Sequence, residues 1–299
     1  MEDKVCIITG SNEGIGKETA KRMASHMMRV IMACRNMEKC EAAAKELRAE
    51  TKNDKIQCMQ LDLNSFTSIR QFVQNFKDMN LPLNYLINNA GKYGGPHALT
   101  EDGFESQVGV NHFGPFMLTN LLLSKLEASE NPRIVVLSSR AHFRAKLDFD
   151  NLSVDPKNYW ANSVYAQSKL CNLLFTYELQ RRLDERGSKI VVNALHPGVV
   201  HTNLFQGMTV LNKLVFPLVS FLLTKVTESG EASEALALGT ALHLQGVKAK
   251  YFNVKFSSCY LLHLVTLMMM TTAVQWYHHC DVPTYRRPSN HLDSTHTCF

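Results

Sequence analysis

Several features that would indicate a secreted, metal-binding or nucleic-acid-binding protein are missing from this 299-residue sequence. Its 8 cysteines are scattered, with no CxxC motif and no close pairs, so we expect reduced thiols in an intracellular protein. The net charge is only +5 and the basic residues form no dense cluster, which indicates no nucleic-acid partner. The opening residues MEDKVCIITG already read as globular sequence, and we expect no signal peptide or N-terminal anchor.

What the sequence does contain is a regular alternation of short apolar runs and longer runs with helical spacing. We predict strands at 4–10, 29–34, 55–63, 83–91, 133–139 and 189–198, and helices at 16–28, 37–50, 65–79, 103–126 and about 160–185. Because apolar strands suit a parallel sheet buried on both faces, this order predicts an α/β fold: a Rossmann-type, doubly wound parallel sheet flanked by helices. We expect a single domain over 1–255 and a divergent tail over 256–299.

A glycine-rich stretch, TGSNEGIG (9–16), joins the first predicted strand to the first predicted helix. Glycines there allow a tight turn and the close approach of a pyrophosphate to a helix N-terminus. The spacing is G-x-x-x-G-x-G, which differs from the G-x-G-x-x-G of many dehydrogenases. We predict that the cofactor is contacted in this turn by Gly10, Ser11, Asn12, Gly14, Ile15 and Gly16.

The end of the second predicted strand bears on which dinucleotide is bound. NAD enzymes usually carry an acid there, about 20 residues past the glycines, to hold the ribose hydroxyls. Here the stretch reads ACRNMEK, with Arg35 at the tip and Lys39 one helical turn later. Since an arginine can pair with a 2′-phosphate that an acid would repel, we predict a preference for NADP(H), with NAD(H) left open. The alternative is that Arg35 is an ordinary surface arginine.

Polar residues also end the third and fourth predicted strands, where side chains face the ligand crevice of a parallel sheet. Asp62, followed by Leu63, is predicted to lie at the adenine edge. Asn89, Ala90 and Gly91, in the sequence NNAG, are predicted to lie near the adenosine ribose. The alternative for each is a plain strand-end turn, for which Asp, Asn and Gly are common.

The sequence SVYAQSK (163–169) places Tyr165 four residues before Lys169. On a helix these two side chains share a face. A fixed positive charge beside a phenol favours the phenolate and lowers its pKa, so the pair can transfer protons near neutral pH. A chance Y-x-x-x-K pair is the alternative, and the two residues alone do not decide between them.

Six motifs in a fixed order carry a family resemblance: TGSNEGIG, NNAG, VNHFG, VVLSS, YAQSK and HPG. Together they resemble the short-chain dehydrogenase/reductases, over roughly 4–254. Within that family, VIMACRNMEK, YWANSVYAQSKLCNLLFTYELQRRL and ALHPGVVHTNL resemble the retinol dehydrogenase branch. They are especially similar to the oxidoreductase domain of the WW domain-containing oxidoreductase, although these 299 residues contain no WW module.

The resemblance implies a role for each residue of a catalytic set. Tyr165 would be the acid/base, Lys169 would lower its pKa and hold the nicotinamide ribose, and Ser139 would bind the substrate oxygen. Asn111 would support a water that links Lys169 to solvent. A hydroxyl donor and a phenol can stabilise the charge that develops on a carbonyl oxygen as a hydride arrives. The alternatives are that Ser139 only caps the end of a strand and that the Asn111 side chain only hydrogen-bonds to the backbone of its own helix.

The stretch HPGVVHTNL (196–204) completes the implied cofactor site. Pro197 and Gly198 would border the nicotinamide, and Thr202 would contact its carboxamide or the phosphates, with Val199 contributing its backbone. The apolar segment 205–225 is then read as a cover for a lipophilic substrate, a membrane-surface helix or a helix packed on the core.

These readings predict an NADP(H)-dependent oxidoreductase that interconverts an alcohol and a carbonyl on a lipophilic small molecule such as a retinoid, steroid or fatty aldehyde. The alternative is an NADP(H)-binding regulatory or protein-interaction module without turnover. Relatives commonly form dimers through helices equivalent to 103–126 and 160–185, so a homodimer is a further expectation.

Two departures from the family pattern stand out. Met27 occupies a left-handed helix-end position where relatives usually carry glycine, at a cost of about 1 kcal/mol. The segment 256–277 contains no Lys, Arg, Asp or Glu and approaches the ~20 residues that span a bilayer. It is read as a membrane helix, as a buried or dimer-interface helix, or as an ending that packs poorly.

The location follows from these readings. We expect a cytoplasmic protein, with peripheral or C-terminal association with an intracellular membrane left open. Residues 281–299 are polar and predicted to be disordered. The histidines and cysteines of the tail match no zinc spacing, so no metal site is expected.

Overall fold

The computed structural model describes residues 4–198 and 247–253. Its strands are β1 (Val5–Thr9), β2 (Arg29–Cys34), β3 (Ile56–Gln60), β4 (Tyr85–Asn88), β5 (Arg133–Leu137), β6 (Val191–His196) and β7 (Tyr251–Asn253). Its helices are α1 (Gly14–Ser25), α2 (Met37–Thr51), α3 (Phe66–Asp78), α4 (Ser106–Val108), α5 (Gly114–Glu127) and α6 (Ala161–Glu185). A π-helical turn, Gly109–Phe113, joins α4 to α5, and three short 3₁₀ helices lie between β5 and α6.

The strands form one parallel sheet in the order β3-β2-β1-β4-β5-β6-β7. The order reverses between β1 and β4, and a crevice forms at such a reversal outside the carboxyl ends of the strands. The predicted doubly wound α/β fold is confirmed. The boundary at 255 and the tail 256–299 lie outside the described residues, so the division into domain and tail stays a prediction.

Side chains from the helices cover both faces of the sheet. One face packs against α1 and α2 through a buried cluster that includes Met23 and Leu47. The other packs against α3, α5 and α6 through a second cluster that includes Phe72, Leu118 and Leu179. Strands buried on both faces need apolar residues at successive positions rather than at alternate ones. This explains why runs such as VCIIT and RVIMAC signalled strands in the sequence.

Two helix ends have well-defined local geometry. Ser65 caps α3, its hydroxyl accepting a hydrogen bond from the Ser68 backbone N–H at 3.3 Å. Met27 has a φ of 60° between α1 and β2. This confirms the predicted left-handed conformation, which glycine adopts more readily.

The helix predicted at 103–126 is not continuous. The Glu105 carboxylate caps α4 by accepting hydrogen bonds from the backbone N–H groups of Gln107 and Val108, at 2.8 and 2.9 Å. After α4 the chain widens into the π turn before α5 resumes the α-helical pattern. Helical spacing of apolar residues cannot reveal one widened turn, so the sequence missed it.

The expectation that all cysteines are reduced is wrong for one pair. Cys40 on α2 and Cys58 on β3 form a disulfide, with Cα atoms 6.0 Å apart. The two are 18 residues apart in sequence and meet because α2 packs beside β3. Cys6, Cys34 and Cys171 are free and buried.

Neither a membrane span nor a metal cluster is found in the described ranges. Within 4–198 and 247–253, no helix combines the length and apolar character needed to cross a bilayer. Across the same residues, no three His, Cys, Asp or Glu side chains come together as metal ligands would. The segments 205–225, 256–277 and 281–299 lie outside the described residues, and so do their predicted roles.

Candidate active site

The glycine-rich turn lies at the carboxyl edge of the sheet, beside the reversal of strand order. Gly10 and Gly14 have φ values of 63° and 58°, a region in which side chains with a Cβ are strained. Helix α1 starts at Gly14, and the Glu13 side chain makes no capping hydrogen bond to it. The first N–H groups of a helix attract anions such as a pyrophosphate.

The other predicted residues of this turn differ in where their side chains lie. Ser11 is fully buried, and its hydroxyl donates to the Ile8 carbonyl at 2.9 Å. This hydrogen bond does not test the cofactor contact predicted for Ser11. Asn12 is half-buried, and the Ile15 side chain packs against the core.

A hydrogen-bonded clamp holds the turn against the end of β4. The Asn89 side-chain amide donates to the carbonyls of Thr9 and Gly10 at 2.8 and 3.1 Å. The buried Thr9 hydroxyl in turn accepts from the backbone N–H groups of Asn89 and Ala90 at 3.0 and 2.9 Å. Sequence reasoning missed Thr9. Its only signal was a hydroxyl at the end of an apolar strand.

This clamp explains why two positions must be glycine. A Cβ on Gly16 would lie 2.4 Å from the Asn89 amide nitrogen and 2.4 Å from the Gly10 carbonyl oxygen. A Cβ on Gly10 would lie 3.0 Å from Ala90. The lack of side chains brings the β1 and β4 ends into contact and leaves backbone facing the crevice. Gly91, the last residue of NNAG, is exposed at the same edge.

The end of β2 places two basic side chains next to the turn. Thr9 pairs with Ala33, and the Gly10 N–H donates to the Ala33 carbonyl at 2.9 Å. Arg35 follows two residues later and is exposed, as is Lys39 in the first turn of α2. Whether either contacts a phosphate stays a prediction.

Asp62 and Leu63, which follow β3, make hydrogen bonds and packing contacts with neighbouring residues. The Asp62 carboxylate accepts from the Asn64 N–H at 2.9 Å, and the Asp62 N–H donates to the Ser68 hydroxyl at 2.9 Å. Leu63 is buried, and its carbonyl oxygen would lie 2.7 Å from a Cβ on Gly114. Asp62 therefore stabilises a strand-end turn, as the alternative interpretation holds. The predicted adenine contact is untested.

Three of the four predicted catalytic residues come together where β5 meets α6. Ser139 follows β5 and caps the next 3₁₀ helix, its hydroxyl accepting from the Ala141 N–H at 3.2 Å. A hydrogen bond between Ser139 and Tyr165 favours the phenolate, but burial outweighs it and raises the pKa of Tyr165 to about 12. The Lys169 ammonium lies 5.6 Å from the centroid of the Tyr165 ring.

Burial is the largest influence on the pKa values of both Tyr165 and Lys169. Lys169 is buried, and its ammonium donates to the Leu137 carbonyl at 3.1 Å. Burial lowers the pKa of Lys169 to about 8. Desolvation of the phenol is the largest influence on the pKa of Tyr165, and the Lys169 ammonium donates to β5. The predicted lowering of this pKa by Lys169 stays a prediction. The shared helix face is confirmed.

Asn111 lies in the π turn and bridges two other segments. Its amide donates to the Lys92 carbonyl and the Ser168 hydroxyl, both at 2.9 Å, and its oxygen accepts from the Lys92 N–H at 2.6 Å. The side chain is thus satisfied by residues outside its own helix, and the alternative of local self-satisfaction is wrong. Its predicted support of a water is not tested by these contacts.

Three polar residues that sequence reasoning missed attach α6 to β5 and to the π turn. The Ser138 hydroxyl donates to the Lys169 carbonyl at 2.7 Å, and the Asn172 amide donates to the Leu137 carbonyl at 3.1 Å. Ser168 accepts from Asn111. The available signal was a run of polar residues on a helix face that packs on the sheet, because buried polar groups need partners.

The site continues to the end of β6. Pro197 and Gly198 are half-buried there, and Gly198 has a φ of 83°. Their predicted contact with a nicotinamide is untested. Val199 and Thr202 lie outside the described residues, as does the predicted cover at 205–225.

With this geometry established, sequence comparison identifies the family. The profile described as short chain dehydrogenase matches residues 4–210. The chain belongs to the short-chain dehydrogenase family. The predicted resemblance is confirmed, and the chain is an oxidoreductase of this family.

Two relatives confirm the branch. Human retinol dehydrogenase 13 is 47% identical over 255 residues, covering 84% of this chain and 76% of the relative. The WW domain-containing oxidoreductase of Gallus gallus is 41% identical over 262 residues, covering 85% of this chain and 62% of the relative. A solved structure of an uncharacterized protein from Mycobacterium paratuberculosis is 36% identical with a TM-score of 0.66, over 84% of this chain and 80% of that one.

Proposed function

We propose that this short-chain dehydrogenase interconverts an alcohol and a carbonyl on a lipophilic substrate, with NADP(H) as the hydride carrier. The observation that carries the proposal is the grouping of Ser139, Tyr165 and Lys169 at the carboxyl edge of β5 and α6. The glycine-rich turn lies at the same edge of the sheet.

The residues at this edge fit a dinucleotide. The glycine-rich turn and the N-terminus of α1 would hold the pyrophosphate, Arg35 and Lys39 would pair with a 2′-phosphate, and Pro197 and Gly198 would border the nicotinamide. When bound, the nicotinamide supplies or accepts the hydride.

The chain itself supplies orientation and the proton. In reduction, the Ser139 hydroxyl would donate a hydrogen bond to the carbonyl oxygen and the Tyr165 hydroxyl would give up its proton to the forming alkoxide. In oxidation the Tyr165 oxygen would accept the proton of the alcohol, and Ser139 would keep its hydrogen bond to the substrate oxygen. Lys169, whose pKa is about 8, is predominantly charged at neutral pH and provides a fixed positive charge behind the Tyr165 ring. The Leu137 carbonyl holds it in place.

The lipophilic substrate is supported by a relative and by the surface around the site. Human retinol dehydrogenase 13 is named for a lipophilic alcohol. Three large apolar side chains are exposed on the loops at this edge: Leu99 after β4, Phe143 after β5, at 54% exposure, and Trp160 before α6, at 68%. Retinoids, steroids and fatty aldehydes share the long apolar body that such side chains would contact.

The cofactor preference is tested by binding alone. NADPH and NADH are titrated into the purified chain and into Arg35→Ala, with cofactor fluorescence as the signal. Losing one charge-assisted hydrogen bond to a phosphate should weaken NADPH binding about tenfold to a hundredfold and leave NADH unchanged. Arg186→Ala, which removes the same charge at the far end of α6, should change neither affinity. Tighter binding of NADH by the parent chain would overturn the preference.

Turnover is tested with Tyr165→Phe on a panel of a retinaldehyde, a steroid ketone and a long-chain aldehyde. The variant should lose turnover and keep its NADPH dissociation constant, because the ring stays and only the hydroxyl that would transfer the proton is removed. Retained turnover would contradict the proposed role of Tyr165. NADPH binding by the parent chain with no turnover on any substrate would favour the alternative, a regulatory module without turnover.

Location and assembly are part of the proposal. We infer a cytoplasmic protein whose membrane contact, if any, is made by 205–225 or 256–277, and a homodimer formed through α5 and α6. Sedimentation with and without vesicles, followed by analytical ultracentrifugation, measures both.

A further inference from the structure

The loop that follows β4 brings a second tyrosine against Tyr165. The ring centroids of Tyr93 and Tyr165 are 4.9 Å apart, and the ring planes meet at 88°. This edge-to-face arrangement is one that aromatic pairs favour. Tyr93 is half-buried, so it covers part of the Tyr165 ring while another part of its own surface faces outward.

The backbone on both sides of Tyr93 is fixed. The Lys92 N–H and carbonyl both bond to the Asn111 side chain, at 2.6 and 2.9 Å. The Gly94 N–H donates to the side-chain oxygen of Gln107 at 2.8 Å. Side chains from α4 and the π turn therefore hold the residues before and after Tyr93, which limits where its ring can move.

The far end of the Tyr93 side chain is also held. Its hydroxyl donates to the Asn162 side-chain oxygen at 2.5 Å. Asn162 lies in the first turn of α6, three residues before Tyr165. Tyr93 thus connects the loop after β4 to the turn of α6 that carries Tyr165, and it contacts that residue directly.

We infer that Tyr93 is a positioning and specificity-determining residue: it fixes the ring of Tyr165 and forms an aromatic wall for the apolar body of the substrate. The inference rests on the proposed function. Nothing in the six motifs pointed to Tyr93, which follows NNAG in the stretch KYGG. A flat, half-exposed ring beside the Tyr165 ring suits a planar or extended apolar substrate better than a compact polar one.

The inference predicts that the Tyr93 ring limits the access of water to the Tyr165 phenol. Burial is the main cause of its raised pKa, and Tyr93 contributes further in the same direction. Replacing Tyr93 by leucine removes the ring edge and admits water to the phenol. The phenolate of Tyr165 should then form at lower pH, with a shift of about half a pH unit. Tyr93→Phe keeps the ring edge and loses only the hydroxyl and its bond to Asn162, so it should shift this titration less than Tyr93→Leu does.

The first experiment measures that ionisation without turnover. The phenolate absorbance of Tyr165 is obtained as the difference between each chain and its Tyr165→Phe counterpart, across a pH series. Tyr93→Leu should shift the difference curve to lower pH, and Tyr93→Phe should shift it less. The control Tyr177→Phe, further along α6, should not shift it. An unshifted curve for Tyr93→Leu would overturn the positioning role. This result does not depend on activity, so it is separable from a failure of the proposed function.

The second experiment measures specificity. In Tyr93→Leu the KM for a retinaldehyde should rise about tenfold, while the NADPH dissociation constant stays within twofold of the parent value, about the scatter of such a measurement. A short polar aldehyde should lose much less. Equal losses for both aldehydes, or no loss for either, would overturn the role in specificity. Circular dichroism of each variant confirms that the fold is retained.

Discussion

The most direct test of the site architecture is Thr9→Val, because this substitution removes two hydrogen bonds and almost nothing else. The Thr9 hydroxyl is buried and accepts from the backbone N–H groups of Asn89 and Ala90. Valine has nearly the same shape and cannot accept. The end of β4 would therefore keep its packing but lose the acceptor that holds NNAG against the glycine-rich turn.

The expected loss of stability follows from the two donors. A buried N–H left without an acceptor costs about 1–3 kcal/mol. The Asn89 N–H also donates to the Ile87 carbonyl at 3.0 Å and would keep that acceptor. The cost therefore falls mainly on the Ala90 N–H, and we use about 2 kcal/mol. Thr9→Ser is the matched control: it keeps the hydroxyl and loses one methyl group, which costs about 1 kcal/mol. Serine should therefore be the milder substitution despite its smaller size.

The free energy of unfolding is measured by urea titration followed by circular dichroism, and NADPH binding is measured on the same samples. Thr9→Val should be the less stable variant and should also bind NADPH more weakly, because the turn loses its support. Thr9→Ser should keep the parent affinity. A valine variant as stable as the serine variant would refute the reasoning, since packing and not hydrogen bonding would then hold the turn.

Three further predictions concern stability. Met27→Gly should stabilise the fold by about 1 kcal/mol in urea titration, because the φ of 60° suits glycine; a loss of stability would contradict this. Burial lowers the pKa of His112 and of His196 to about 4 in the folded chain. Between pH ~6.5 and pH 4 these histidines therefore bind protons in the unfolded chain but not in the folded one. The free energy of unfolding should be highest above pH ~6.5 and fall by up to about 3 kcal/mol per histidine towards pH 4; a flat profile would contradict this. Reducing Cys40–Cys58, which closes a loop of 18 residues, should cost about 3 kcal/mol, and a reductant should have no effect on the Cys40→Ala/Cys58→Ala chain.

The parallel sheet was predictable because its physics is local in the sequence. A strand buried on both faces must be apolar at successive positions, and a covering helix must be apolar at helical spacing. All six predicted strands and the helices at α1, α2, α3 and α6 were found, with ends that differ by a few residues. The strands predicted at 55–63 and 83–91 were too long, because apolar residues such as Leu61 and Ala90 lie among the polar turn residues that follow each strand.

The features that were missed depend on contacts between distant segments. The π turn is associated with the bridge from Asn111 to Lys92 and Ser168, and no spacing of apolar residues encodes such a bridge. The disulfide arises because α2 lies beside β3. The direction of the Tyr165 pKa shift depends on how much water reaches the ring, which only the packed structure determines.

The site residues also show that structural and chemical readings of one residue need not compete. Ser139 both caps a 3₁₀ helix and hydrogen-bonds Tyr165, and Asn89 both follows β4 and holds the glycine-rich turn. A substitution at such a position therefore lowers stability and binding together, and loss of activity alone cannot assign a role. Pairs such as Thr9→Val with Thr9→Ser separate the two effects, because only valine removes the hydrogen bonds and only serine removes the methyl group.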